Sequence, residues 1–181
     1  MNKRFITLTI IVFLAVIVVT AISFFIKPYM QTIAQNMKLT SHEFEDNGFI
    51  PARFSCHYEN INPELDIENT PSNVQSLVLI MDDPDAPSGD WVHWILFNIS
   101  PTTLKILENE TPSNAIVGKN SWGKSEYGGP CPPLGTHRYV FKLYALNKKL
   151  ELQTGSTKQQ VEAAMQNHLL AEAKLTGLFS K

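Results

Sequence analysis

The sequence predicts a mainly β domain, a sandwich with one helix packed on it near the C-terminus, behind an N-terminal apolar helix. Three observations predict it. From Leu39 onwards short apolar stretches alternate with turn residues, the pattern of strands and loops. Thr157 to Leu175 instead carries apolar residues at helical spacing. Phe5 to Ile26 is an uncharged, mostly apolar run, unlike anything after it.

The N-terminal segment opens with the basic Met1-Asn2-Lys3-Arg4. Phe5 to Ile26 then holds no charge, and its polar residues are Thr7, Thr9, Thr20 and Ser23. A run of roughly 20 apolar residues can cross a bilayer as one helix. A secretory signal is the rival reading, with Ala21-Ile22-Ser23 as a weak cleavage site that the apolar run continues past. Either reading exports the domain: anchored in the inner membrane and facing the periplasm, or secreted. Lys3 and Arg4 favour a cytoplasmic N-terminus. The expected organisation is an anchor or signal over residues 1–27, a linker over 28–38 and a domain over 39–181.

Of 15 Lys and Arg, three (Lys3, Arg4 and Lys27) lie in the segment, leaving 12 against 17 acids, about −5 for the exported part. No basic run or stripe appears, which argues against nucleic acid as a partner. Cys56 and Cys131 are the two cysteines. In an oxidising compartment an even count invites a disulfide, and two buried thiols are the alternative.

Three strands stand out. Ser76-Leu77-Val78-Leu79-Ile80-Met81 is near-continuously apolar, as in a buried strand. Trp91 to Ile99 is apolar at both parities, with Trp91, His93, Ile95, Phe97 and Ile99 on one face and Val92, Trp94, Leu96 and Asn98 on the other, so it is expected to be central. Arg138 to Leu146 alternates Tyr139, Phe141, Leu143 and Ala145 against Val140, Lys142 and Tyr144. A long loop from about Asn109 to Gly135 separates the last two, and loops of that length are more often functional than idle. Val161, Ala164, Met165, Leu169 and Ala173 then mark the helix, with Ser156 as N-cap and Gly177 as stop.

Two clusters carry chemistry. Asp83-Pro84-Asp85-Ala86-Pro87 follows the first strand, and Pro stiffens it. Trp91 and His93 follow on the next strand, two positions apart. The second cluster runs from Tyr127-Gly128-Gly129-Pro130-Cys131 to Gly135-Thr136-His137-Arg138-Tyr139. Both place a rigid Pro-rich loop beside a strand that carries a histidine with an aromatic residue two positions away. If the strands neighbour each other, Asp83, His93, His137 and Tyr139 converge on one pocket. Imidazole N–H, tyrosine O–H and loop N–H groups are donors and suit an anion, while the carboxylates orient the histidines. The plainer readings are an Asx turn for Asp83 or Asp85 and a satisfied core histidine for His93. No metal is expected, since HExxH and CxxC are absent, and no cofactor, since GxSxG, phosphate-loop and dinucleotide fingerprints are absent.

Asp-Pro-Asp-Ala-Pro, Trp-x-His, and Gly-Pro-x-Pro-Pro-x-Gly-Thr-His-Arg-Tyr together resemble the phosphatidylethanolamine-binding protein family, in its bacterial branch called Raf kinase inhibitor-like. The likeness covers about residues 39 to 180, from an opening strand Phe-Ile-Pro-Ala-Arg-Phe-Ser-Cys to a helix end Ala-Glu-Ala-Lys-Leu-Thr-Gly. It implies a Greek-key β-sandwich with a small anion pocket and no catalysis. By position, Asp83, Trp91, His93, Gly129, Pro130, His137 and Tyr139 match the family's ligand-binding pocket. Implied partners are a small anion or phosphorylated ligand and a kinase or protease target; the membrane is a partner through the N-terminal helix. The chain departs at Tyr58-Glu59-Asn60, and Ile67 stands where the family's tryptophan is common. A protein-interaction module and a histidine-dependent hydrolase are the alternative functions.

Overall fold

A computed structural model describes residues 36–181. The expected anchor or signal over 1–27, and the linker up to residue 35, lie outside the described residues. Among those described, no helix is long and apolar enough to cross a membrane.

The elements are β1 (Lys38–Thr40), β2 (Gly48–Phe49), a 3-10 turn (Ala52–Phe54), β3 (Leu65–Glu68), β4 (Ser76–Asp83), β5 (Trp91–Ile99), β6 (Lys105–Ile106), β7 (Ile116–Val117), β8 (Thr136–Leu146), α1 (Lys158–Met165) and β9 (Leu169–Ser180). They form a three-stranded sheet ordered β1-β3-β6 and a six-stranded sheet ordered β2-β9-β8-β4-β5-β7. The β2–β9 pair is parallel; the other pairs are antiparallel. The structured domain begins before residue 39, because Met37 is buried in the core and β1 opens at Lys38.

One face of the large sheet and the small sheet share a core that includes Leu39, Leu65, Ile67, Leu79, Phe141 and Leu175. Ile67 fills the place where the resemblance leads one to expect tryptophan, and it is buried there. The other face of the large sheet packs Val78, Ile80, Val92 and Phe97 against Val161 and Met165 of α1. β4 is therefore buried at every position, which is why its sequence does not alternate.

The helix is shorter than its spacing predicts. Thr157, not Ser156, is the N-cap: Thr157 and Gln160 form a capping box. Asn167 takes a left-handed conformation, φ 65°, and residues 169–180 form the longest strand. Ala173, Leu175 and Phe179 are buried while Glu172, Lys174 and Ser180 are exposed, a period of two. An alanine-containing amphipathic run satisfies both periods, and continuous pairing with β8 from Ser180 to Leu169 selects the strand. The expected opening strand over 49–56 is likewise only β2 followed by the 3-10 turn, since Pro51 fixes φ and has no N–H to give a ladder.

β5 is not central. β4 and β8 are, while β5 has β4 on one side and the two-residue β7 on the other. Its alternation is also broken twice. Pairing shifts register between Met81↔Trp94 and Asp82↔Val92, so His93 is an extra residue, and it shifts again near Asn98, which has φ 57°. The bulges put Trp94 and Leu96 in the core shared with the small sheet and Ile95 and Phe97 on the α1 side.

Candidate functional site

The two histidine strands do not touch, because β4 runs between them. This arrangement still brings the chemistry together, since β4 ends in Asp83. His137 Nδ1 lies 2.7 Å from Asp83 Oδ2, and both residues are buried. The other Asp83 oxygen accepts from Asp85 N at 2.8 Å, so the Asx turn and the histidine contact coexist on one carboxylate. Across β4 the His93 ring meets the Tyr139 ring edge-on, centroids 5.1 Å apart. The bulge is what permits this contact, because the extra residue in β5 re-aims the side chain. His93, Tyr139, Asp83 and His137 thus share one face at one end of the large sheet.

The Gly-rich loop closes over that end. Gly128 O lies 2.6 Å from His93 Nδ1. Gly129 N donates to Asn60 Oδ1 at 2.7 Å, and Cys56 N donates to Pro130 O at 3.1 Å. Cys131 N donates to the Tyr139 hydroxyl at 3.2 Å. Gly129 has no room for a side chain: a Cβ there would stand 2.1 Å from the Phe54 carbonyl oxygen. A disulfide joins Cys56 to Cys131, Cα atoms 5.5 Å apart, and ties the loop to the 3-10 segment.

These partners fix both histidines in one tautomer. A carbonyl only accepts, so His93 Nδ1 carries a proton; the Asp83 carboxylate likewise accepts from His137 Nδ1–H. The contacts above use Nδ1, which leaves Nε2 as the nitrogen each ring can offer a ligand. Among the described residues, Ser55 Oγ, Thr70 Oγ1, Asp82 Oδ1 and Trp91 Nε1 are buried side-chain atoms without a hydrogen-bond partner. Burial pushes the His93 pKa below its ordinary 6.5, against the Gly128 and Gly129 backbone and the charges of Asp83 and Asp82, which raise it. His93 is 1% exposed and His137 7%. Burial, with the Asp83 charge next, holds the Tyr139 pKa well above normal and its hydroxyl protonated.

The four acids of the Asp82–Asp90 stretch have separate tasks. Only Asp83 orients a histidine. Asp85 takes Arg138 through Nε at 2.8 Å, Nη2 at 2.6 Å and backbone N at 3.0 Å, and Arg138 holds its carboxyl down at about 2. Asp82 is fully buried on the α1 side and accepts from Lys142 at 2.7 Å and Lys158 at 2.6 Å. Asp90 also pairs with Lys158. Burial pushes Lys158 down, but the hydrogen bonds to Asp82 and Asp90 outweigh it and raise its pKa. The expectation that this acidic stretch as a whole serves the histidines is corrected: three of its four acids bind cations that lock β8 and α1 to β4 and the β4–β5 loop.

Trp122 was not singled out by sequence. It is 43% exposed and meets Trp91 and His93 edge-on at 5.4 and 5.0 Å. Buried Asn120 builds its turn, accepting from Trp122 N and Lys124 N and donating to Glu126 O. A large aromatic residue left exposed between Asn120 and Gly123 was the available signal. A cavity of about 170 Å³ is lined among others by Asn60, Trp122, Glu126, Gly128 and Gly129. Of the seven expected site residues it includes Gly129 alone. Two groups among the described residues have ligand atoms close enough for a metal: Cys56, His57 and Cys131, whose thiols are spent in the disulfide, and His42, Glu64 and Asp66.

Residues 40–180 match the sequence profile of the phosphatidylethanolamine-binding proteins. The chain belongs to the phosphatidylethanolamine-binding protein family. Among curated members it is 47% identical over 150 residues to a UPF0098 protein of Methanothermobacter thermautotrophicus, covering 80% of this chain and 99% of that one. A UPF0098 protein of Pyrococcus horikoshii is 44% identical over 149 residues, 78% and 75% covered. Among solved structures, CT736 of Chlamydia trachomatis, a phosphatidylethanolamine-binding protein homologue, superposes with a TM-score of 0.78 at 40% identity, covering 81% of this chain and 98% of that one. YbcL of E. coli, described as a member of the mammalian phosphatidylethanolamine-binding protein family, gives 0.76 at 26% identity, 81% and 99% covered. The fold is thus that of the family.

Proposed function

We propose that the protein is a binding module for a small oxyanion, phosphate or a phosphoryl group, held between His93 and His137. One observation carries this reading: His137 is held by Asp83 at 2.7 Å while His93 stands against Tyr139 on the same sheet face, each ring with Nε2 free. Tyr139 adds a hydroxyl donor, and the Gly129-Pro130 backbone forms the wall. The family's name supports a phosphorylated head group as one source of such an anion. Binding rather than turnover fits the Asp83 carboxylate, whose two oxygens are taken up by His137 Nδ1 and Asp85 N, so that it orients the ring. Export goes with this reading: the apolar run over residues 5–26 supports an anchor or a secretory signal, and the Cys56–Cys131 disulfide suits an oxidising compartment.

Calorimetry with phosphate tests the reading. One small site gives few contacts, so affinity in the micromolar-to-millimolar range is expected. His137→Ala and His93→Ala should each weaken it by at least about tenfold, the worth of a charge-assisted hydrogen bond. Unchanged affinity in both variants overturns the site. A second reading, recognition of a protein target such as a kinase or protease by the rim, is favoured by Leu134, 83% exposed at the tip of the second loop; capture that survives both histidine changes supports it.

A further inference from the structure

We propose that this site selects oxyanions that still carry a proton, phosphomonoesters and phosphonates, over phosphodiesters and sulfates of equal charge. The inference rests on the oxyanion reading above and narrows its ligand class. A site of donors alone would favour whichever anion holds most negative charge. The hydrogen bonds here do not make such a site. His93 spends its Nδ1 proton on Gly128 O, and the carbonyl leaves no choice of tautomer. The ring is buried between Trp122 and Tyr139, edge-on to both, where a charged imidazole is poorly solvated. Its free Nε2 is therefore a lone pair that needs a proton from the ligand.

His137 differs in its partner. Its Nδ1 faces the Asp83 carboxylate, a counter-charge that His93 lacks against its carbonyl, so His137 is the ring that can take up a second proton and present Nε2–H to an anion. Tyr139 accepts from Cys131 N, which leaves its own hydroxyl proton to give. The site so combines one acceptor with donors. An oxyanion with one P–O–H group and two unprotonated oxygens satisfies all of them: its O–H donates to His93 Nε2 while its oxygens accept from His137 and Tyr139. A phosphodiester or sulfate ester brings no proton, and its oxygen would face the His93 lone pair. A polar group forced against an unmatched partner is rejected more strongly than a merely smaller group.

The test uses the full chain and three monoanions of similar size: methyl phosphate at pH 5, where about nine-tenths of a phosphomonoester is the protonated monoanion, methyl sulfate and dimethyl phosphate. Methyl sulfate is the same shape without the proton; dimethyl phosphate stands for the diester of a phospholipid head group. Calorimetry should show methyl phosphate binding at least tenfold more tightly than both. Equal affinities for all three overturn the selectivity while leaving the oxyanion site standing. No binding by any of them removes the site and the inference together. Imidazole ¹⁵N NMR gives an independent reading. His93 should show a protonated Nδ1 and a lone-pair Nε2 at neutral pH; the reverse tautomer overturns the inference whatever the affinities.

Discussion

Asp83 Oδ2 accepts a hydrogen bond from His137 Nδ1 at 2.7 Å across 54 residues of chain. The contact joins the end of β4 to the start of β8 and fixes the ring whose free nitrogen would serve the proposed site. Asp83→Asn keeps the shape and removes the charge. Methyl phosphate binding should fall by about tenfold with the fold intact, since a hydrogen bond to a charged group is worth about 1.5–3 kcal/mol. Calorimetry with a circular-dichroism control checks this.

His93 makes stability depend on pH. Its folded pKa is lowered by burial below the ordinary 6.5, so the unfolded chain binds more protons in the window just below that value. The stabilisation is complete above pH 6.5 and is lost as pH falls through the folded pKa. The Tm should therefore rise between pH 5 and 7. His93→Gln should flatten that slope, measured by thermal melts across the range.

Removing the disulfide should cost stability broadly. Cys56 and Cys131 are 75 residues apart, and closing a loop of that length is worth about 4 kcal/mol in the chain-entropy picture, with 2–4 typical. The Cys56→Ser, Cys131→Ser double variant should unfold at lower urea. Asn60 and Cys56 N still hold Gly129 and Pro130, so phosphate affinity should change less than stability does.

Gly129→Ala tests the close approach of the loop. Its Cβ would stand 2.1 Å from the Phe54 carbonyl oxygen, which is backbone and cannot step aside. Overpacking of this kind costs about 1–3 kcal/mol. Because Gly128 O holds His93, the loop displacement should also weaken phosphate binding, unlike a change confined to the core.

Much of this was legible in the chain. β4 showed itself as a continuous apolar run, and β8 by the alternation of Tyr139, Phe141, Leu143 and Ala145. The pairing of a Pro-rich loop with a nearby histidine marked both halves of the site. β9 was hidden because its alternating residues, Ala171 to Leu175, also fit a helix, and only pairing along β8 decides between the two. The bulge at His93 belongs to cross-strand register and leaves no local signal. Trp122 reaches Trp91 and His93 through tertiary folding alone, so sequence spacing could not join them. The roles of Asp82 and Asp85 were missed for the same reason, since their cations lie on β8 and α1.

The most direct test of the central claim is a crystal of the protein soaked with methyl phosphate. The account predicts one phosphoryl group with oxygens about 3 Å from both His93 Nε2 and His137 Nε2, within ordinary hydrogen-bond reach. An anion seated instead in the cavity beside Trp122 and Glu126, with neither imidazole touching it, would contradict the account.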